Sequence, residues 1–214
     1  MNLLIAGVSL FVNGFGVYLT MHASIGAAPW DVFNLGLSKT LGIIYGTASI
    51  SVSVLVIVID ILLKEPIGLA MLLDAVVVGK SVDFFNWLDI VPVPETLVGG
   101  LIMGVIGLVI VGYTQGTYMM AALGCGPRDT LLVGLKKRTK KIPIGIVGVM
   151  LQSFVTLVGY LLGGPVGVGT LLYAFGAGPI MQFAFWTMQF DATGIRHQNI
   201  LESVKVMTRR KGKQ

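Results

Sequence analysis

The chain has 214 residues, of which 55% are hydrophobic and only 12% charged, with a mean hydropathy of +0.87. That composition excludes a soluble domain of this length and makes the chain an integral membrane protein. One cysteine, Cys125, excludes an internal disulfide, and no Cys/His cluster at zinc-ligand spacing occurs, so neither a structural metal nor a cofactor is expected.

The net charge of +5 is localised. Of the 15 basic residues, six lie between Arg128 and Lys141 and six between Arg196 and Lys213. Each cluster adjoins a membrane-length apolar run, which is where cytoplasmic loops gather Lys and Arg, and no nucleic-acid partner is implied. Met1-Asn2 offers no basic leader for a signal peptide, so the first apolar run is expected to stay in the mature protein.

About 20 mostly apolar residues are needed to cross the hydrocarbon core. Six segments qualify: Leu3 to Met21, Tyr45 to Leu63, Ile67 to Leu88, Leu97 to Met119, Ile144 to Leu162 and Val168 to Phe190. The third contains Asp74, Lys80 and Asp83 and is the weakest. With the N-terminus in the cytoplasm, both basic clusters and Lys64 fall inside, while Asp89 and Glu95 fall outside. The expected topology is six spans with both termini cytoplasmic.

Two stretches share a skeleton of Gly, Pro and Asp. They are Ile25-Gly26-Ala27-Ala28-Pro29-Trp30-Asp31 and Leu123-Gly124-Cys125-Gly126-Pro127-Arg128-Asp129, 98 positions apart. Gly14 matches Gly112 and Gly36 matches Gly134 at that offset. After one inserted residue the offset is 99, pairing Gly46 with Gly145, Pro66 with Pro165, Gly68 with Gly167 and Gly79 with Gly178. The chain is therefore read as two copies of one unit: a first membrane repeat over 1–96, a second over 97–190, and a basic cytoplasmic tail over 191–214. Three spans per copy is an odd number, so the copies enter the membrane from opposite sides. The expected fold is all-α, a 3+3 inverted repeat with a short extra helix after the first span of each copy. On this topology Trp30 marks the outer face and Arg128 the inner one.

Small-xxx-small pairs at Gly100/Gly104 and Gly112/Gly116 predict close helix packing and leave homodimerisation open. The run Gly163 to Thr170 lacks the Lys of a phosphate loop and reads as a tight turn. In the tail, Ile200, Leu201, Val204 and Met207 share a helical face before Arg209-Arg210-Lys211. Either a surface-lying amphipathic helix or a solvated tail fits.

Laid out this way, the chain resembles the bacterial YczE/YitT-type membrane proteins, a group of small multispanning proteins. The likeness is carried by the two motifs with Gly36 and extends nearly to Phe190. It implies a bacterial plasma-membrane location and a polytopic fold, and at most export or the support of a synthesis machine; it brings no substrate.

The site expectation rests on the two motifs and on the third span. A proline at the first helical position loses no hydrogen bond, and an aspartate two residues on faces the positive end of the helix dipole, so each motif can be an ordinary helix start. Alternatively the two short helices dip into the membrane and meet, as interrupted helices do in inverted-repeat transporters. Asp31 and Asp129 are then paired cation or proton sites, with Gly26, Pro29, Gly124 and Pro127 shaping the backbone. Backbone N–H groups there could instead receive an anion, which the aspartates oppose. Asp74 and Lys80 join the expected substrate or ion site, because charge at membrane depth usually faces a bundle interior. Lys80 and Asp83 share a helix face and could neutralise each other. Asp60 is expected to pair with Lys64 at the interface. His22 and His197 have no companions at catalytic or metal spacing. Without HExxH, G-x-S-x-G or a Ser/His pairing, no catalytic residue is expected and the chain is read as a non-enzyme. The leading expectation is a small secondary transporter or facilitator; the alternative is a membrane scaffold that docks a partner enzyme through Lys136 to Lys141 and the tail.

Overall fold

Apolar runs with no water to bond their backbones must satisfy every N–H and C=O internally, which favours helices throughout. The computed structural model describes residues 2–120 and 126–189. Among them are eight α-helices and no strand: α1 (Asn2–His22), α2 (Pro29–Leu41), α3 (Tyr45–Leu62), α4 (Leu69–Leu88), α5 (Leu97–Met120), α6 (Pro127–Arg138), α7 (Ile144–Leu161) and α8 (Val168–Thr187). The order of one long helix, one short and two long occurs twice. Five helices, α1, α3, α5, α7 and α8, are long and apolar enough to cross a membrane. The third of the six expected spans, α4, has the length but carries three charged residues.

Both short helices start on their motif proline, after a residue in extended conformation, Ala28 or Gly126. Pro29 and Pro127 forfeit no bond there, because the first N–H groups of a helix have no internal partner. Neither aspartate caps its own helix, and no side chain caps either N-terminus. The carboxylates are free for other work.

Helix α1 lies along α5 and α4, α5 along α8, α2 along α7, and α3 along both α4 and α6. Glycines set the closest approaches. A Cβ on Gly16 would lie 2.9 Å from the Gly107 carbonyl oxygen, so α1 and α5 cross backbone to backbone. A Cβ on Gly159 would sit 2.5 Å from the Phe33 nitrogen, which brings α2 flush against α7. Of the predicted pairs, Gly100 seats Ile25 and the Ala23 carbonyl, Gly104 seats Tyr173, and Gly112 seats Ile180. The glycine faces of α5 are thus used inside this chain.

The outward surfaces carry large apolar side chains, among them Trp87, Phe154, Leu161, Phe175 and Trp186, all more than 60% exposed. Such contiguous apolar exposure is a lipid-facing surface rather than a water-facing one.

The Gly-rich run between α7 and α8 is a turn, with Gly163 at φ +86, and it has a second use. The first motif docks on it by backbone: Ala27 N–H donates to the Pro165 carbonyl at 3.2 Å and Gly169 N–H to the Ile25 carbonyl at 2.7 Å.

Space at the glycines yields a contrast. Gly159→Ala should lower the stability of the detergent-solubilised protein by about 1–3 kcal/mol, the cost of overpacking. Gly145→Ala meets nothing within 4 Å and should be neutral within about 0.5 kcal/mol. Thermal denaturation followed by intrinsic fluorescence reads both.

Candidate functional site

The first turns of α2 and α6 meet. The Arg128 guanidinium stands 5.2 Å from the centre of the Trp30 ring and its Nη1 lies 3.9 Å from Asp31 Oδ1. Trp30 and Arg128 therefore do not mark opposite faces, as expected from the sequence; they stack on one another. The reason is electrostatic: an arginine in an apolar bundle is drawn to a carboxylate and to an aromatic face.

Asp31 is buried, at 5% exposure, and fully engaged. Tyr45 Oη, at the start of α3, donates to its Oδ1 at 2.8 Å, and Asn34 Nδ2 donates to the same hydroxyl at 3.4 Å. Asp129, one residue after Arg128, is exposed and accepts a bond from Gln115 Nε2 of α5 at 3.3 Å. Asp74, on α4, points at the start of α6: a Cβ added to Gly126 would lie 3.2 Å from its Oδ2. The charge of Arg128 acts on all three aspartates, Asp31, Asp74 and Asp129. One cation and three carboxylates from α2, α4 and α6 form a charged cluster, from buried Asp31 out to exposed Asp129.

Of the predicted site residues, the structure unites Asp31, Asp74 and Asp129. Pro29 and Pro127 are buried helix starts, and Gly26, at φ +106, is pressed so closely on Gly167 that a Cβ would come within 2.5 Å of its nitrogen. Gly124 and Cys125 lie outside the described residues, as does the tail with His197 and its proposed amphipathic helix.

Other expectations are corrected. Lys80 is exposed and joins no ion pair among the described residues, so it stands apart from the cluster. Its expected neighbour Asp83 turns instead toward α3, where Oδ1 accepts from the Gly46 N–H at 2.7 Å. Asp60 does not pair with Lys64: it is fully buried, and neither of its carboxylate oxygens has a hydrogen-bond partner among the described residues. Helix α3 ends at Leu62, and Lys64, at φ +57, is turned outward by the reversal of the chain.

The basic loop is also partly occupied. Buried Glu65 pairs with Lys137 at 2.5 Å and with Arg138 at 3.7 Å, and Lys136 Nζ donates to the Ile142 carbonyl at 2.8 Å. The sequence showed the cations and gave no sign of this acid among them. Tyr45, Asn34 and Gln115 were likewise not foreseen, since a single polar residue in an apolar run has no local signature. Arg128 was legible: it is the one cation inside a duplicated motif.

An all-helical chain with lipid-type outer faces, in which five helices are long and apolar enough to cross a bilayer, is a membrane protein. The chain belongs to DUF6198, a family of unknown function whose model matches residues 1–185. It is 33% identical over 177 residues to the uncharacterized membrane protein YczE of Bacillus subtilis, covering 82% of this chain and 81% of that protein. It is also 33% identical over 175 residues to an uncharacterized protein of Haemophilus influenzae, covering 82% and 79% of the two chains. Uncharacterized protein YyaS of B. subtilis is 29% identical over 171 residues, or 78% and 83% of the two. No solved structure matches.

The cluster makes two stability predictions. Tyr45→Phe removes a hydroxyl that bonds a buried carboxylate and should cost about 1.5–3 kcal/mol. Arg128→Gln leaves three carboxylates without their cation and should cost about 3 kcal/mol or more, with Asp31→Asn in the same chain restoring part of the loss. Thermal unfolding of the single and double variants in one detergent measures the coupling.

Proposed function

We propose that this protein is a small secondary transporter or facilitator whose site is the cluster of Asp31, Asp74, Asp129 and Arg128. The observation that carries the reading is the pairing of Arg128, from the second motif, with Asp31 and Trp30 of the first. In inverted-repeat transporters, short or interrupted helices from the two repeats meet at a central site, and charge held there serves a substrate or ion pathway.

On this reading α1, α3 and α4 are the spans of the first repeat and α5, α7 and α8 those of the second, inverted one. The short helices α2 and α6 enter from opposite faces. The packing of α4 along α1 and α3 supports its place as a sixth span, and its Asp74 faces the cluster rather than lipid. Both termini are cytoplasmic by the distribution of Lys and Arg. Three carboxylates against one guanidinium favour a cation or a proton as the transported or coupling species. No catalytic step is assigned to the chain.

The scaffold alternative is weakened because Lys137 and Arg138 already pair with Glu65, and Lys136 with a loop carbonyl. Such cations are poorly placed to recruit a partner.

The test is purified protein in liposomes, offered a panel of radiolabelled amines, amino acids and alkali cations with and without an imposed proton gradient. Uptake of at least one solute is expected, lowered roughly tenfold or more by Asp31→Asn or Asp74→Asn, as befits loss of a charge-charge contact in an apolar site. Absence of movement and binding across the panel, with both variants active in the cell, would sink the reading.

A further inference from the structure

The seam between α7 and α8 differs from its counterpart between α3 and α4. At the 99-residue offset Gly46 and Gly79 correspond to Gly145 and Gly178. The first pair is shut: a Cβ on Gly79 would lie 3.1 Å from the Gly46 carbonyl oxygen, and Asp83 latches the Gly46 N–H. Around the second pair nothing comes within 4 Å. Accordingly α3 packs along α4, whereas α7 and α8 share at most a marginal contact.

A groove of about 430 Å³ fills the second seam. Its floor is Pro29, its α7 wall bears Gln152, Ser153 and Thr156, and its α8 wall bears Thr170 and Ala174. The corresponding α3–α4 seam is closed by an apolar cluster of Ile57, Met71 and Ala75. Two of these positions have changed class: Ile57 corresponds to Thr156 and Met71 to Thr170. At these two positions the sealed seam carries apolar side chains and the open one hydroxyls.

The hydroxyls have capacity to spare. Thr156 Oγ1 donates to the Gln152 carbonyl at 2.8 Å, which leaves its lone pairs for a donor. Thr170 Oγ1 accepts from the Gly167 N–H at 3.1 Å, which leaves its proton for an acceptor. With the Gln152 amide, the wall offers both donors and acceptors and no charge among the described lining residues. The volume is that of a small-molecule site, and apart from the Ser153 and Tyr160 hydroxyls the rest of the lining is apolar.

We propose that the α7–α8 groove is a binding site, entered from the bilayer, for an uncharged amphiphile: an apolar body bearing hydroxyl and carbonyl groups. It stands apart from the charged cluster and does not depend on transport by that cluster. A full-length fatty-acid anion or a cationic headgroup finds no counter-charge on these walls.

A diazirine-bearing monoacylglycerol serves as the probe, with the full chain in phosphatidylcholine nanodiscs. After illumination, adducts are expected on peptides spanning residues 152–160 and 166–175, and excess unlabelled monoacylglycerol should compete them away. Thr156→Ile with Thr170→Met, which installs the residues of the sealed seam, should cut labelling roughly tenfold, as for the loss of about two hydrogen bonds. Ser153→Trp, an exposed position outside the packed core, should block the groove in the same way while leaving the fold untouched. Labelling spread evenly over all lipid-facing helices, or unchanged in both variants, would overturn the proposal. So would equal labelling by a diazirine fatty acid. A disulfide-linked dimer through Ser153→Cys in a Cys125→Ser background would also overturn it, by making a second copy the occupant.

Discussion

Arg128 is the charge around which the inner structure is arranged. A guanidinium among apolar helices loses most of its hydration, and only nearby anions and aromatic faces replace it. Asp31 and Trp30 come from α2, Asp74 from α4, and Asp129 from the same turn of α6. Side chains of the first turns of α2 and α6 meet there, while α2 packs against α7 and α6 against α3. Two duplicated motifs that are each unexceptional as helix starts become a single site only because one contains a cation and the other an aromatic and an acid that can hold it.

Backbone proximity is the second constraint. Gly16 against Gly107, and Gly159 against Phe33, let helices approach closer than any Cβ allows, so packing contacts stand in for the hydrophobic driving force that is missing in lipid. Where that proximity is given up, at Gly145 and Gly178, the seam opens and its walls change chemistry. The two halves of the chain thus share a helix order and differ in use: Tyr45 and Asp83 fasten the first half, while the corresponding positions in the second, Ile144 and Gln182, are both exposed.

Buried Asp60 and Glu65 show how differently two acids of one region are treated. Glu65 sits in the α3–α4 connection, within reach of the last turn of α6, and gathers Lys137 and Arg138. These cations also lie at the C-terminal end of α6, where the helix dipole favours them. Asp60 is one turn deeper in α3 and out of reach of those side chains, and its carboxylate has no partner among the described residues.

The sequence by itself determined the membrane class, the helical content and the start of both short helices at Pro29 and Pro127, since these follow from apolar length and from proline's missing N–H. It also singled out Asp31, Asp74 and Asp129, because ionised groups are rare enough in such a chain to be conspicuous. Which charges meet was decided only in three dimensions. Trp30 and Arg128 read as address labels and prove to be partners; Lys80 and Asp83 read as a pair and face different ways; Tyr45 and Gln115 gave no signal at all. Spacing along one helix fixes which residues share a face, but it carries no information on what another helix brings to that face, and that is where the energy of a buried charge is settled.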